Sequence, residues 1–272
     1  MSNNGVLKVG VGGLGAIGMA VARRLDQGLH GLELGAVSAS TEASARTKIA
    51  DLQTQPAIVP LSELGETCDI VVECAPAAVF DEIAVPAVRY GRVFIPISCG
   101  QLLPRMGLIE EAHKSGAQII VPTGALIGLD AVRAAAEGII HSVRIVTRKP
   151  PNGLAGAPHL VKNKIDVSNV TEPKLVFSGN ARAAAIGFPA NVNVAAALSL
   201  AGIGPDETEI EIWADPTVDR NTHTIHVDSD SASFEMTMRN IPSVENPKTG
   251  RITPQSVIAT LANLRAPLRV GC

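Results

Sequence analysis

The stretch Gly10-Val11-Gly12-Gly13-Leu14-Gly15-Ala16-Ile17-Gly18 fits G-x-G-x-x-G in two registers. Glycines so spaced let a chain turn tightly, bring its backbone against a pyrophosphate and pack a helix close to a strand. The register Gly10, Gly12, Gly15 would end the first strand by Val9, whereas Gly13, Gly15, Gly18 leaves Leu7–Val11 intact and opens a helix at Ala16. The second register is the better fit. In it the helix start, at Ala16 and Ile17, turns unpaired N–H groups and about half a positive charge toward the phosphates. A glycine-rich turn without a ligand is the competing interpretation. Against it, the turn follows a strand-like run and opens a helix striped with Ile17, Ala20, Val21 and Leu25. At the end of the second strand the chain reads Val37-Ser38-Ala39-Ser40-Thr41, with no Asp or Glu to bind both ribose hydroxyls. Without that carboxylate a 2′-phosphate meets no repulsion, and the hydroxyls of Ser38, Ser40 and Thr41, with Arg46 or Lys48, could hold it. The cofactor is NAD or NADP, with NADP acceptance favoured; Ser38 on a ribose hydroxyl of NAD is the alternative. Ala75, just past the run Asp69–Cys74, completes the expected cofactor contacts in this half.

These residues need a scaffold. The chain has 272 residues, 46% hydrophobic, a size at which one core commonly becomes two. Aromatics make up 3%, so the interior must be packed from Ala, Val, Ile and Leu, which favours sheets sandwiched by helices. From residue 7 to about 122, strand-like runs alternate with helix-like stretches: Leu7–Val11, Leu32–Val37, Ala57–Val59, Asp69–Cys74, Val93–Ile97 and Gln118–Val121. Several are continuous apolar runs, as expected of a parallel sheet covered on both faces. After Pro122 the rhythm changes to a helix near Leu129–Gly138, a strand Ser142–Arg148, and a loop Lys149-Pro150-Pro151-Asn152-Gly153. Then come a strand Leu175–Phe177, an Ala-rich helix Val192–Ala201 and strands near Ile210–Ala214, Thr222–Val227 and Ser233–Arg239. The fold expected is α/β, an N-terminal doubly wound Rossmann domain plus a C-terminal α+β domain with a mixed or antiparallel sheet. Residues 1–124 form the first, 125–245 a substrate-binding and dimerisation domain. Residues 246–272 carry a last helix, Pro254–Leu264, capped by Thr253 and packed back on the first domain.

Composition excludes several partners. The net charge is −3 and no Lys/Arg cluster is interleaved with aromatics, so nucleic acid is not expected. No apolar run approaches the ~20 residues needed to span a bilayer, and Met1-Ser2-Asn3-Asn4 lacks signal-peptide features. A cytoplasmic protein is expected, without membrane contact. Cys68, Cys74, Cys99 and Cys272 show no C-x-x-C spacing, so neither a metal site nor a disulfide framework is indicated.

Polar residues that packing does not explain gather in the second half. They are Phe188-Pro189-Ala190-Asn191-Val192-Asn193-Val194-Ala195, the segment Ala214-Asp215-Pro216 through Asn221-Thr222-His223, and Asn246-Pro247-Lys248-Thr249. With Thr123-Gly124-Ala125-Leu126-Ile127-Gly128-Leu129-Asp130 and Thr147-Arg148-Lys149-Pro150-Pro151, they resemble the L-aspartate dehydrogenase family nearly end to end. The resemblance implies oxidation of L-aspartate at Cα by NAD or NADP to iminosuccinate, which water converts to oxaloacetate and ammonia. It places the catalytic histidine on His223 and nicotinamide contacts on Ala125 and on Asn191 or Asn193. It also implies a homodimer through the second domain's sheet.

The chemistry of such a reaction suits these residues. An imine forms from a neutral amine, and water must then be activated on the imine carbon; histidine does both near neutral pH. A dicarboxylic amino acid or oxo acid needs cations, for which Arg148, Lys149 and Lys248 are candidates, with Asn221 beside His223. One departure from the family pattern is Ser98-Cys99-Gly100-Gln101, where the family commonly carries Ser-x-Gly-Ala. Gln101 there would alter the pocket, and Cys99 stands where semialdehyde dehydrogenases place a thioester-forming thiol, so a reductase of another imine or a semialdehyde is an alternative. Cys99 lacks the Asn-Cys-Thr context of such enzymes and can equally be a small buried hydrophobe. A non-catalytic, cofactor-sensing protein is the remaining alternative.

Overall fold

Short runs rich in apolar residues form the strands of the first half. The computed structural model describes residues 5–189, 192–243 and 250–271. Strands β1 (Leu7–Gly12), β2 (Leu32–Ser38), β3 (Ala57–Ile58), β4 (Ile70–Glu73), β5 (Val93–Pro96) and β6 (Gln118–Ile119) alternate with helices α1 (Ala16–Asp26), α2 (Glu42–Ile49), α3 (Leu64–Thr67), α4 (Phe80–Arg89) and α5 (Gly107–Ser115). The strands pair in parallel in the order β3-β2-β1-β4-β5-β6. This is the doubly wound Rossmann arrangement, and the order reverses between β1 and β4, where such folds bind ligands beyond the strand ends. Every residue of β4 is buried, as a strand covered on both faces requires. Helix α4 shows the matching signal: Phe80, Ile83, Ala84, Ala87 and Val88 are buried on one stripe.

The second half begins with α6 (Leu129–Ala136) and the long strand β7 (Ile140–Lys149). It continues through α7 (Pro158–Lys162), β8 (Lys174–Asn180), α8 (Ala181–Gly187), α9 (Val192–Ala201), β9 (Glu209–Ala214), β10 (Thr222–Ser229) and β11 (Ser233–Arg239). The sheet order is β11-β10-β7-β9-β8, antiparallel except for the β7/β9 pair, so the sheet is mixed. Alternation sorts its side chains. Val143, Ile145, Thr147 and Lys149 of β7 are buried on one face with Ile210, Ile212 and Ala214 of β9 and His223, Ile225 and Val227 of β10.

Contacts divide the chain into two units, residues up to Pro122 with Pro254–Val270, and Thr123–Thr253. The last helix, α10 (Ile252–Arg265), buries Val257 and Leu261 in the first unit's core with Val9, Val11 and Leu34. Its start differs from the expected cap. The helix opens at Ile252, Thr253 N–H donates to Gly250 O at 3.1 Å, and Pro254 takes the third helical position, where a missing N–H costs no helical bond. A larger difference concerns Lys149, expected in the loop after Arg148. It belongs to β7, because Lys149 pairs with Ala214 of β9 as Arg148 pairs with Trp213, and the ladder stops only at Pro150. Helix α8, absent from the sequence reading, is capped by Asn180, whose Oδ1 accepts from Ala183 N–H at 2.9 Å.

Candidate active site

At the carboxyl ends of β1, β2 and β4 the first unit gathers Gly13, Gly15, Gly18, Ser38 and Ala75. Gly13 has φ +99°, a left-handed conformation that glycine adopts without strain, and its N–H donates to Ser38 O at 2.9 Å. A Cβ on Gly13 would stand 2.8 Å from Ala75 N, and one on Gly18 would stand 1.9 Å from Gly13 O. Gly15, the residue before α1, meets nothing within 4 Å at its Cβ position. No side chain caps α1 and its first turn, with Ala16 and Ile17, carries no acidic residue. A tight turn, an open backbone and an uncapped helix start together fit a dinucleotide's pyrophosphate.

Toward the expected adenosine side the polar residues are already engaged. Ser38 is 3% exposed. Thr41 Oγ1 accepts from Ser44 N–H at 3.1 Å and caps α2, Arg46 pairs with Glu42 at 2.5 Å, and Lys48 Nζ donates to Leu14 O at 2.9 Å.

Beside this turn lies a residue the sequence reading passed over. Glu73, the last residue of β4 and opposite Gly12 of β1, is fully buried. Its carboxylate accepts from Ser98 N–H at 2.8 Å and pairs with the Ser98 hydroxyl at 3.1 Å. Burial pushes its pKa up from 4.5 to about 7, against the pull of these hydrogen bonds. The sequence signal was a lone Glu ending an otherwise apolar strand. Cys99, in the turn that follows Ser98, is 4% exposed, which suits a packed thiol better than a nucleophile. Gln101 is turned to Arg105, whose guanidinium donates to Gln101 Oε1 at 3.0 Å.

In the second unit β10 and β7 bring the chemistry to one face. His223 lies directly across from Thr147 in the antiparallel ladder, and Thr147 Oγ1 is 3.0 Å from His223 Nδ1. Both residues are 3% exposed. Burial, with the Lys149 ammonium second, pushes the His223 pKa down to about 3, so the imidazole is neutral at physiological pH. Lys149 is two residues from Thr147 on the same face and 8% exposed. Burial lowers its pKa to about 8. Lys149 and Asn221 line a cavity of about 590 Å³ with Asn240, Asn152, Phe188 and Arg220.

Arg148 does not join this face. One residue out of phase, it points to the opposite side of the sheet, bonds Asp215 at 2.9 Å and lies 5.0 Å over the Trp213 ring. Asp215 of the Ala-Asp-Pro string is 1% exposed and structural: it accepts from Thr217 N–H at 2.9 Å and Thr217 Oγ1 at 2.6 Å. Burial alone would raise its pKa, but the Thr217 bonds and the Arg148 guanidinium hold it below the ordinary value. Ala125 O accepts from Asn240 Nδ2 at 3.1 Å, while Asn193 is exposed on α9. Asn191 and Lys248 lie outside the described residues. Thr147 and Asn240, like Glu73, were missed by sequence reasoning; their roles depend on strand register rather than on any local motif.

Comparison with known proteins shows the family to which the chain belongs. A family model described as aspartate dehydrogenase, C-terminal, matches residues 130–264, and one described as homoserine dehydrogenase, NAD binding domain, matches residues 13–122. The chain is 57% identical to L-aspartate dehydrogenase 3 of Bordetella bronchiseptica over 272 residues, 100% of both chains. It is 54% identical to L-aspartate dehydrogenase of Bradyrhizobium diazoefficiens, over 97% of this chain and 94% of that one. Among solved structures, aspartate dehydrogenase from Thermotoga maritima matches with TM-score 0.72 at 24% identity, covering 97% of this chain and 99% of that one; this likeness is one of fold.

Proposed function

The chain belongs to the aspartate dehydrogenase family, and from that membership we propose that it oxidises L-aspartate at Cα to iminosuccinate, which water converts to oxaloacetate and ammonia, or runs the reverse as reductive amination. It is a nicotinamide-dependent oxidoreductase acting on the CH–NH2 group of an amino acid. The observation that carries the assignment of roles is a neutral imidazole, bonded through Nδ1 to Thr147 and standing beside a buried lysine on one sheet face.

A nicotinamide bound through its phosphates at Gly13, Gly15 and Gly18 would supply the acceptor for the Cα hydride. The protein's own residues do the rest. Lys149 binds a substrate carboxylate, a charge-assisted contact worth ~1.5–3 kcal/mol. With Nδ1–H donated to Thr147 Oγ1, His223 keeps a lone pair on Nε2, which takes a proton from the substrate ammonium. The amine lone pair can then form the C=N bond as the Cα–H bond breaks. The dicarboxylate's two negative charges offset the Lys149 charge and raise the basicity of the imidazole when substrate is bound. Once that proton has passed to solvent, the same nitrogen takes a proton from the water that attacks the imine carbon and returns it to the departing ammonia. Asn221, at the entrance to β10 and two residues before His223, lines the cavity.

NADP is accepted as well as NAD. The support is the absence of an acidic residue at the end of β2 and the exposure of the Arg46–Glu42 pair, 71% and 65%, which a 2′-phosphate can part at little cost. The working form is a homodimer, for which the second sheet's outer face, with Val146, Trp213 and Thr224 half-buried in the single chain, is the candidate surface. The cytoplasm is the proposed compartment, in keeping with the free thiols of Cys68 and Cys74; among the described residues no helix is long and apolar enough to cross a membrane.

The test supplies oxaloacetate, ammonia and NADH or NADPH and follows the reduced cofactor together with the product. Consumption that needs both substrates and yields aspartate is expected. Tight cofactor binding without turnover, by either cofactor, would overturn the proposal in favour of a cofactor-sensing protein.

A further inference from the structure

Asn240 follows β11 directly, is 5% exposed, and lines the cavity that Lys149 and Asn221 also line. Its backbone N–H donates to Asn221 O at 2.9 Å, which fixes it beside the entrance to β10. Its side chain is used at one end only. Nδ2 donates to Ala125 O at 3.1 Å, and since a carbonyl only accepts, this bond decides which end of the amide is nitrogen. Oδ1 therefore points the other way. It is buried and has no hydrogen-bond partner among the described residues. Buried amide oxygens are nearly always paired, so an orphan in a cavity asks what donor it meets. Gly250 lies against this oxygen, and a Cβ there would stand 3.1 Å from it.

We propose that Asn240 Oδ1 receives the substrate's amino group. This rests on the reading of the protein as an amino acid dehydrogenase. A dicarboxylic amino acid carries two carboxylates that only accept hydrogen bonds; its amine alone donates. An acceptor is also the right partner for the chemistry. It holds the nitrogen through an N–H and leaves the lone pair to form the C=N bond, whereas a donor would occupy that lone pair. Lys149 and Asn240 thus divide the substrate between them, the cation taking a carboxylate and the carbonyl taking the amine.

The experiment compares binding of L-aspartate and of succinate, which lacks the amine, to holoenzyme loaded with NADH or NADPH so that no turnover occurs. Calorimetry gives both affinities for the wild type, Asn240→Ala and Gly250→Ala. The second variant crowds the free oxygen most closely, at 3.1 Å against 3.4 Å for Asn240 Cβ and Cγ, and removes no atom of the bond to Ala125, so it decides the matter if Asn240→Ala does not fold. The wild type is expected to prefer L-aspartate, and each variant to lose about tenfold to a hundredfold of that preference while its affinity for succinate stays at the wild-type level. A preference unchanged in folded variants, a parallel loss of both ligands, or a wild type that does not discriminate would overturn the assignment of Asn240. A wild type that binds neither ligand and turns over no oxaloacetate overturns the proposed function, and this assignment with it.

Discussion

Replacing Thr147 by valine removes one oxygen and almost no volume, and it isolates the contact that sets the state of His223. The Thr147 Oγ1 to His223 Nδ1 bond is 3.0 Å long and joins two residues that are each 3% exposed, so no bulk water replaces it. A buried polar atom deprived of its partner costs ~1–3 kcal/mol. In the proposed tautomer, donation of Nδ1–H to Oγ1 leaves Nε2 as the proton acceptor; without it either nitrogen can hold the proton. If the whole bond energy biases that choice, kcat falls by about 5- to 150-fold. The loss must stay within the ~10²–10⁴ contributed by a positioned acid–base group, the ceiling set by His223→Ala. Initial rates of cofactor reduction with L-aspartate give kcat, and calorimetry on the same samples gives Tm. Thr147→Val should lower kcat while cofactor affinity holds, and adding it to His223→Ala should cost no further rate. A variant with wild-type kcat, or losses that multiply in the double variant, would refute the claim that Thr147 acts through the histidine.

The remaining predictions concern the turn, the buried carboxyl and the lysine. Gly18→Ala puts a Cβ 1.9 Å from the Gly13 carbonyl and should lower both Tm and cofactor affinity, whereas Gly15→Ala meets nothing within 4 Å and should weaken cofactor binding with Tm unchanged; fluorescence titration with NADH and thermal melts separate the two. Glu73 has a folded pKa near 7 against an ordinary 4.5, so the native state holds a proton that the unfolded chain has lost between those values. Its contribution to stability is present below pH 4.5 and is lost as pH rises to 7, by up to ~1.4 kcal/mol per pH unit. Glu73→Gln, neutral throughout, should therefore gain stability relative to the wild type across that interval in denaturant titrations, and a difference independent of pH would contradict it. His223 works in the opposite sense, its neutral folded form costing stability as pH falls below 6.5. For Lys149, whose ammonium is lost near pH 8, KM for oxaloacetate should rise about tenfold per pH unit above that point, and Lys149→Met should remove the pH dependence and raise KM ~10- to 150-fold below it.

What the sequence revealed follows the range of the interactions involved. The glycine turn was legible because a positive φ, a close approach and a helix start are all local, and the alternation of apolar runs with helical stripes betrayed the parallel sheet. Lys149 shows the limit. Two prolines after it argued for a loop, yet pairing with Ala214 carries the strand through it, and one position of alternation then separates it from Arg148 on the far face. Thr147 became visible only when β10 was laid against β7 in register, since nothing near position 147 announces a histidine 76 residues away. Asn240 and Ala125 are 115 residues apart, and the orphaned oxygen exists only because that contact uses the other end of the amide. Glu73 was readable in principle, as a charge ending a buried strand, but its partner Ser98 lies on the neighbouring strand's exit.

The central claim is that His223 is the base for a substrate oxidised at the carbon bearing its amine, and a single turnover tests it most directly. Holoenzyme carrying NAD+ or NADP+ is mixed rapidly with L-aspartate and the appearance of reduced cofactor is timed for the wild type and His223→Ala. The account predicts a burst in the wild type and a rate lower by ~10²–10⁴ in the variant, with cofactor affinity unchanged. Equal rates in the two proteins would contradict it.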